Sequence, residues 1–259
     1  MLSAAGPGRG TVGVSRLVPV IGLAHRSRHP GVRPAVDALM SAVQAPSGPP
    51  ARSAFLDLTE PDLGSVAHGL AAERVTRAVV VPLLFTQAFH AGVDVPAAVR
   101  SAAEASGVDL VVAGILGTGD DVLEVLAGAV AAAGIEPATP ILLFAVGSSD
   151  PSANAAVADL AARLEARRPG PVRAGFGTTE PRGSAVLEEL TAEQPAAAVL
   201  PLFVSPGLLL EPMAHLARDR GWVMAPPLGT RLAPLVRDRY AGCDPPATGG
   251  DDVVQDKPA

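Results

Sequence analysis

The sequence predicts an α/β protein made of two tandem, doubly wound parallel sheets related by internal duplication. Short runs rich in Val, Ile and Leu alternate with longer Ala-rich segments of helical periodicity. The short runs are apolar throughout rather than at every second residue, which is typical of parallel strands covered by helices on both faces. Several landmarks of the first half return in the second half in the same order, so two copies of one unit are expected.

The first copy is expected to span residues 17–135, after a disordered tail at residues 1–16. Its strands and helices are predicted, in order, in LVPVIGLA, AVDALMSAVQ, RSAFLDL, LGSVAHGLAAE, RAVVVPLLF, VPAAVRSAAEA, DLVVAGIL and DDVLEVLAGAVAAAG. The next segment, IEPATP, contains two prolines that interrupt the pattern. This break predicts the boundary between the copies.

The second copy is expected to span residues 136–241 and to repeat the same order of elements. They are predicted in ILLFAVG, SANAAVADLAARLEAR, PVRAGFG, RGSAVLEELTAE, AAAVLPLFV, LLLEPMAHLARDRG, WVMAP and TRLAPLVRDRY. The segment at residues 242–259 is rich in Gly, Pro and Asp, which is typical of a disordered tail.

The repeat can be tested by the spacing of four landmarks. They are TEP at Glu60 and Glu180 (180 − 60 = 120), PLLF at Pro82 with PLFV at Pro201 (201 − 82 = 119), LGT at Leu116 and Leu228 (228 − 116 = 112), and Pro30 with Pro151 (151 − 30 = 121). Offsets that drift slowly while the order is kept indicate duplication with small insertions and deletions.

Composition excludes several classes of protein. Of the 259 residues 48% are hydrophobic, which is enough for a sizeable core. The net charge of −6 and the scarcity of Lys argue against a nucleic-acid partner. The single cysteine, Cys243, excludes an internal disulfide framework and a multi-cysteine zinc site. No signal-like or membrane-spanning apolar run occurs, so a cytoplasmic protein without a membrane partner is expected.

Three polar residues of the first copy follow predicted strands, and they are the candidate site. His25, Asp57 and His90 each lie at or just after the end of a strand. In an open parallel sheet, ligands bind beyond the carboxyl ends of the strands near the topological switch point, so these side chains are expected to meet. Two imidazoles and one carboxylate suit a divalent first-row metal and leave coordination positions open for water or a substrate.

The second copy differs at the positions matched to these three residues. Val146, Gly177 and Leu209 are expected to stand where the first copy has its imidazoles and carboxylate. The comparison predicts one chemically equipped copy and one degenerate copy, whose apolar segment SPGLLL could form a second wall of the site.

The motifs AHRSR, FLDLTEP and VVPLLFTQAFHAGVDVP together resemble those of the sirohydrochlorin chelatases, enzymes that insert Fe2+ or Co2+ into a tetrapyrrole. The resemblance covers about residues 17–135, and the second copy is similar to the degenerate half of two-domain family members. It implies flavodoxin-like, chelatase-type domains.

The resemblance also implies roles for individual residues. His25 and His90 match the metal-binding histidines of the family and would share catalysis, while Asp57 stands where the family usually has Glu. Arg26 replaces a glycine beside the first histidine. Arg26 and Arg28 are expected to bind substrate carboxylates, because guanidinium groups recognise carboxylates bidentately. Which histidine accepts a pyrrole proton is left open.

The expected function is therefore insertion of Fe2+ into sirohydrochlorin in siroheme biosynthesis. Insertion of Co2+ for cobalamin synthesis is an alternative, as is a carrier that binds metal or tetrapyrrole without turnover. No permanent cofactor is expected, because the divalent metal, Fe2+ or alternatively Co2+ or Ni2+, is a substrate. The two copies are expected to form a pseudo-symmetric monomer.

Overall fold

The protein folds into two four-stranded parallel sheets with helices on both faces, which confirms the predicted fold class. A computed structural model describes residues 17–25, 27–56, 60–86, 94–192 and 196–243. The predicted tails lie outside these ranges except for Gly242 and Cys243. The domain boundaries themselves stay predictions.

The first sheet has the strand order β2-β1-β3-β4. Its strands are β1 (Val20–Ala24), β2 (Ala51–Phe55), β3 (Arg77–Pro82) and β4 (Asp109–Val112). The helices of the same copy are α1 (Val32–Gln44), α2 (Leu63–Ala72), α3 (Val95–Ser106) and α4 (Asp120–Ala132).

The second sheet has the equivalent order, β6-β5-β7-β8. Its strands are β5 (Ile141–Ala145), β6 (Val172–Phe176), β7 (Ala198–Pro201) and β8 (Val223–Met224). The helices are α5 (Pro151–Glu165), α6 (Gly183–Leu190), α7 (Leu210–Arg220) and α8 (Ala233–Ala241), and α8 is preceded by a 3-10 turn at Gly229–Leu232.

Strand register confirms the duplication independently of the sequence landmarks. In each sheet, one residue from each of the other strands pairs with the first residue of the central strand or with that residue's partner. Together with the first residue of the central strand, these residues correspond between the copies as Val20 with Ile141 (141 − 20 = 121), Ala51 with Val172 (172 − 51 = 121), Val79 with Ala198 (198 − 79 = 119) and Val111 with Val223 (223 − 111 = 112). The drift arises in the connections, since the pairing within each sheet is unchanged.

The sheets and helices form layers around a shared core. α1 presents a buried stripe that includes Val32, Val36 and Leu39, at the spacing expected for one helix face. It packs closely on β1 because Gly22 has no side chain, and a Cβ there would lie 2.3 Å from the sulfur of Met40. A single apolar cluster joins residues of both sheets with residues of α1, α4, α5 and α8. Smaller clusters lie under the outer helices of each copy.

The last helix of each copy contacts the sheet of the other copy. α4 contacts β7, and α8 contacts β3. Arg239 on α8 donates hydrogen bonds to the carbonyls of Ile115 and Leu116 and to Asp121 Oδ2 at 2.6 Å. The hydroxyl of buried Tyr240 donates to the Val18 carbonyl at 2.8 Å. These contacts join the two copies into one packed unit.

Several predicted elements are shorter than expected, among them the fourth strand and the final helix. The strand predicted to continue through Leu116 ends at Val112. Residues 113–116 are still largely apolar because Ala113 and Leu116 are buried in the shared core. The final helix, predicted from Thr230, begins as a 3-10 turn and becomes α-helical at Ala233.

Within the described residues, none of the helices combines the length and apolar character needed to cross a lipid bilayer.

Candidate functional site

A cavity of about 1090 Å³ lies where the carboxyl ends of both sheets face each other. In the first copy it is lined by residues that follow β1 and β3, which are the strands on either side of the topological switch point. In the second copy it is lined by residues that follow β5, β6 and β7. Its size and its place in the fold are those of a ligand site.

His25 lies at the rim of this cavity because it directly follows β1. The strand is held on both sides at its end: the Leu83 amide donates to the Leu23 carbonyl at 2.8 Å, and the Leu56 amide donates to the Ala24 carbonyl at 2.9 Å. Ala24 is buried, whereas His25 is exposed and lines the cavity. The sheet thus fixes the backbone from which the imidazole projects.

A compact turn follows His25 and carries Arg28. The His29 amide donates to Ser27 Oγ at 3.2 Å, and the Gly31 amide donates to His29 Nδ1 at 3.0 Å. Arg28 is exposed and lines the same cavity as His25. The end of β1 and this turn therefore place an imidazole and a guanidinium at one cavity.

The same turn recurs after β5 with different side chains. The Asp150 amide donates to Ser148 Oγ at 3.0 Å, and the Ser152 amide donates to Asp150 Oδ1 at 2.9 Å. The Ser152 hydroxyl and amide hold the pKa of Asp150 below its usual range. Asn154 closes the turn, since its side chain accepts from the Ser148 amide and donates to the Ser148 carbonyl. This wall of the cavity is firmly anchored.

The second copy presents an apolar wall. Val146, Leu208 and Leu209 all line the cavity and remain 44%, 54% and 37% exposed. Large apolar side chains left exposed in one concave place indicate a binding surface. The expectation that SPGLLL borders the site agrees with this arrangement.

The structure brings together two of the five predicted site residues, His25 and Arg28. Arg26, Asp57 and His90 lie outside the described residues, so the three-ligand metal site stays a prediction. Among the residues that are described, no group of three or more His, Cys, Asp or Glu side chains could hold a metal ion. Two described residues that are close to them in sequence do line the cavity: Glu60 follows Asp57 by three positions, and Thr86 precedes His90 by four.

One predicted correspondence between the copies is wrong by one residue. Register places Phe176 at the position of Phe55, because each pairs with the last residue of the central strand. Gly177 therefore matches Leu56 (177 − 56 = 121) and not Asp57, which itself lies outside the described residues. Thr178 lines the cavity and its hydroxyl donates to the Val146 carbonyl at 2.8 Å. The residue that follows Gly177 thus places a polar group in the cavity beside the apolar wall.

Glu60 is a cavity residue that was not among the predicted site residues. Its repetition as Glu180 in the second TEP motif gave no sign of a role confined to one copy. Of the described residues, Glu60 is the one carboxylate that lines the cavity. Glu180 instead accepts a hydrogen bond from the Arg182 amide. The two glutamates have the same sequence motif but different surroundings, because Glu60 lines the cavity and Glu180 contacts the Arg182 amide.

The comparison with protein families gives two matches within the chain. The model of the CbiX family matches residues 19–133 and again residues 140–241. Among proteins of curated function, none matches the sequence significantly.

Solved structures share the fold at low sequence identity. The structure of SirB from Bacillus subtilis with Fe3+ is 21% identical, with a TM-score of 0.71 over 87% of this chain and 94% of that one. SirB from Bacillus subtilis subspecies spizizenii, a sirohydrochlorin chelatase solved with cobalt, is 20% identical, with a TM-score of 0.71 over 87% and 94%. CbiX, described as the terminal enzyme of siroheme biosynthesis in denitrifying bacteria, is 21% identical, with a TM-score of 0.63 over 86% and 98%.

Proposed function

The chain belongs to the CbiX family, and we propose that it inserts a divalent metal ion into sirohydrochlorin. The observation that supports this most is the asymmetric cavity, which has His25 and Arg28 on one wall and Val146 and Leu208 on the other. A tetrapyrrole with carboxylate substituents has flat apolar faces and a charged rim. It would require an apolar wall, cationic groups near the rim, and a donor atom for the metal.

Metal insertion makes demands that the proposed residues can meet. The macrocycle must lose two pyrrole protons while the metal exchanges water for ring nitrogens. A neutral imidazole can bind the metal or accept a proton, because its ordinary pKa lies close to neutral pH. We propose that His25 and His90 share these roles and that Asp57 offsets the charge of the metal. The residues that line the described cavity add Glu60 as a further carboxylate.

Substrate recognition would depend on charge at the rim. Arg28 lies in the cavity wall, on the turn that follows His25. A guanidinium can bind a carboxylate through two parallel hydrogen bonds, which fixes orientation as well as affinity. We propose this role for Arg28, and for Arg26 by its place in the sequence.

Fe2+ is our proposed metal, with siroheme as the product of the pathway. Co2+ insertion for cobalamin synthesis is the second candidate, and the structure of a SirB in complex with cobalt supports it. Imidazole and carboxylate ligands suit either ion, so supply and geometry would decide between them.

The decisive experiment compares metal insertion with the uncatalysed reaction. Purified protein is mixed anaerobically with sirohydrochlorin and with Fe2+, Co2+ or Ni2+ in turn, and the change in the absorption spectrum is followed. Acceleration over the protein-free rate supports an enzyme, and the metal with the highest kcat/KM is the assigned substrate. Tight binding without acceleration would instead identify a carrier.

We also propose that the protein acts as a monomer, because one chain supplies both walls of the cavity. Light scattering during size-exclusion chromatography would test this. A mass of two chains that persists on dilution would contradict it.

A further inference from the structure

His29 differs from its counterpart in the second copy although both make the same local contact. His29 Nδ1 accepts from the amide two residues later, at Gly31, as Asp150 Oδ1 accepts from Ser152. The two positions correspond at an offset of 121 (150 − 29). A carboxylate is therefore sufficient to accept this backbone hydrogen bond. The hydrogen bond alone does not explain why the first copy has a histidine at this position.

The second ring nitrogen of His29 faces the other copy. Nε2 lies 3.6 Å from Oε1 of Glu211, which is in the first turn of α7. Because Nδ1 accepts a hydrogen bond, a neutral ring carries its proton on Nε2, the nitrogen that lies beside the Glu211 carboxylate. The separation is longer than a direct hydrogen bond, so the interaction is electrostatic and modest.

Packing beside this contact also joins the two copies. A Cβ placed on Gly31 would lie 3.0 Å from Cε1 of His29 and 3.0 Å from Cγ of Pro206. Pro206 belongs to the connection between β7 and α7, and this connection also carries Leu208 and Leu209 on the apolar wall. The turn after β1 and the loop before α7 are thus in contact at the rim.

We propose that His29 is a positioning residue that holds the turn after His25 against α7 and so sets the separation of the cavity walls. This role rests on the proposed function, because its consequence is affinity for a flat macrocycle between those walls. His29 needs no contact with the substrate to act in this way. Loosening the contact should raise the Kd for the metal-free macrocycle, and should raise KM by a larger factor than it lowers kcat.

A double-mutant cycle on His29→Asn and Glu211→Ala tests the proposal. Asn retains an oxygen that can accept from the Gly31 amide but cannot reach α7. The Kd of metal-free sirohydrochlorin is measured by absorbance titration for the wild type, both single variants and the double variant, and kcat and KM are measured on the same set. Asp150→Asn is the matched control, because it changes the equivalent cap in the second copy.

We expect each single variant to raise Kd about twofold to fivefold, and the double variant to add little more. The Asp150→Asn control should bind like the wild type. If the increases in Kd multiplied in the double variant, or if Asp150→Asn raised Kd equally, His29 would act only as a local hydrogen-bond acceptor in its turn, and the proposal would be wrong. Glu211 is exposed, so an unchanged Kd in Glu211→Ala would overturn the proposal even if His29→Asn did not fold. A wild-type protein that binds no sirohydrochlorin would overturn the proposed function together with this role.

Discussion

His25 and Val146 occupy the same position in the two copies, directly after the last residue of a central strand, and both line one cavity. The preceding residues, Ala24 and Ala145, are both buried. Equivalent backbones thus present an imidazole from one side and an isopropyl group from the other. Under the proposed function, the first wall handles the metal and the second holds the face of the ring.

His25→Ala should lower kcat/KM for metal insertion by at least about 100-fold, because it removes either a metal ligand or a general base. The fold should persist, since His25 is exposed at the rim. Insertion kinetics and far-UV circular dichroism of the same preparation would check both statements.

The controls for this variant are the two helical histidines. His68 and His215 are exposed and lie on α2 and α7. Their replacement by Ala should leave kcat/KM within about twofold of the wild type, as is usual for exposed sites away from a ligand. A similar loss in all three variants would remove the specific role of His25.

Arg28→Ala should raise KM for sirohydrochlorin about tenfold, because a charge-assisted hydrogen bond to a substrate carboxylate would be lost. Arg28→Lys should recover part of that loss, since the ammonium keeps the charge but not the bidentate geometry. Steady-state kinetics at low and at high ionic strength would check this. Arg100→Ala, an exposed change on α3, should have no effect, and equal KM values in all three variants would exclude Arg28 from recognition.

Val146→Thr should raise the Kd of metal-free sirohydrochlorin about threefold to tenfold. The substitution keeps the shape of the side chain but places a hydroxyl against the ring. Val112→Thr and Val223→Thr are matched controls, because these residues are 42% and 41% exposed, close to the 44% of Val146, and lie outside the cavity lining. Equal Kd values for the wild type and the three variants would show that the apolar wall at Val146 does not bind the ring.

Arg239→Met should lower the free energy of unfolding by about 2 kcal/mol, because Asp121 and two carbonyls would lose a charged donor. Urea denaturation measures the change. Arg231→Met, an exposed change in the 3-10 turn before α8, should cost less than about 0.5 kcal/mol. Equal stability of the two variants would show that the contact between copies contributes little.

Tyr240→Phe should lower the free energy of unfolding by about 1 kcal/mol near neutral pH, since the buried Val18 carbonyl would lose its donor. Burial raises the pKa of Tyr240 above the ordinary value of 10.0. Its protonated form is therefore favoured in the folded state, so its stabilising contribution is complete below pH 10 and declines as pH rises through the folded pKa.

The alkaline decline can be measured on a single group, because Tyr240 is the only tyrosine of the chain. The difference in unfolding free energy between the wild type and Tyr240→Phe should shrink above pH 10. Spectroscopic titration of tyrosinate in the folded protein should give a midpoint above 10. A midpoint at or below the ordinary value would contradict the assigned burial.

The order of strands and helices could be predicted because it depends on local periodicity. The end of β4 could not, because apolar residues that follow it are buried although they are not part of the strand. Ala113 and Leu116 are as apolar as strand residues because they enter the shared core. The Ala113 amide still donates to Val80, yet the strand ends at Val112. Periodicity reports burial, and it does not distinguish a short strand from a buried connection.

The site was predicted to the extent that strand ends determine it. His25 and Arg28 reach the cavity because β1 ends there, which is a property of the open parallel sheet. The match between Asp57 and Gly177 failed because the TEP motifs are offset by 120 while the preceding strands are offset by 121. The contact between His29 and Glu211 depends on packing between copies, which no local pattern encodes.

Because α4 contacts β7 and α8 contacts β3, each copy completes part of its packing with the other copy. The chain can be compared with a dimer whose two protomers have been fused end to end. Fusion replaces a concentration-dependent association with an intramolecular one of fixed stoichiometry. It also allows the two partners to diverge, so a histidine and a valine can face each other across one cleft, which identical protomers could not achieve.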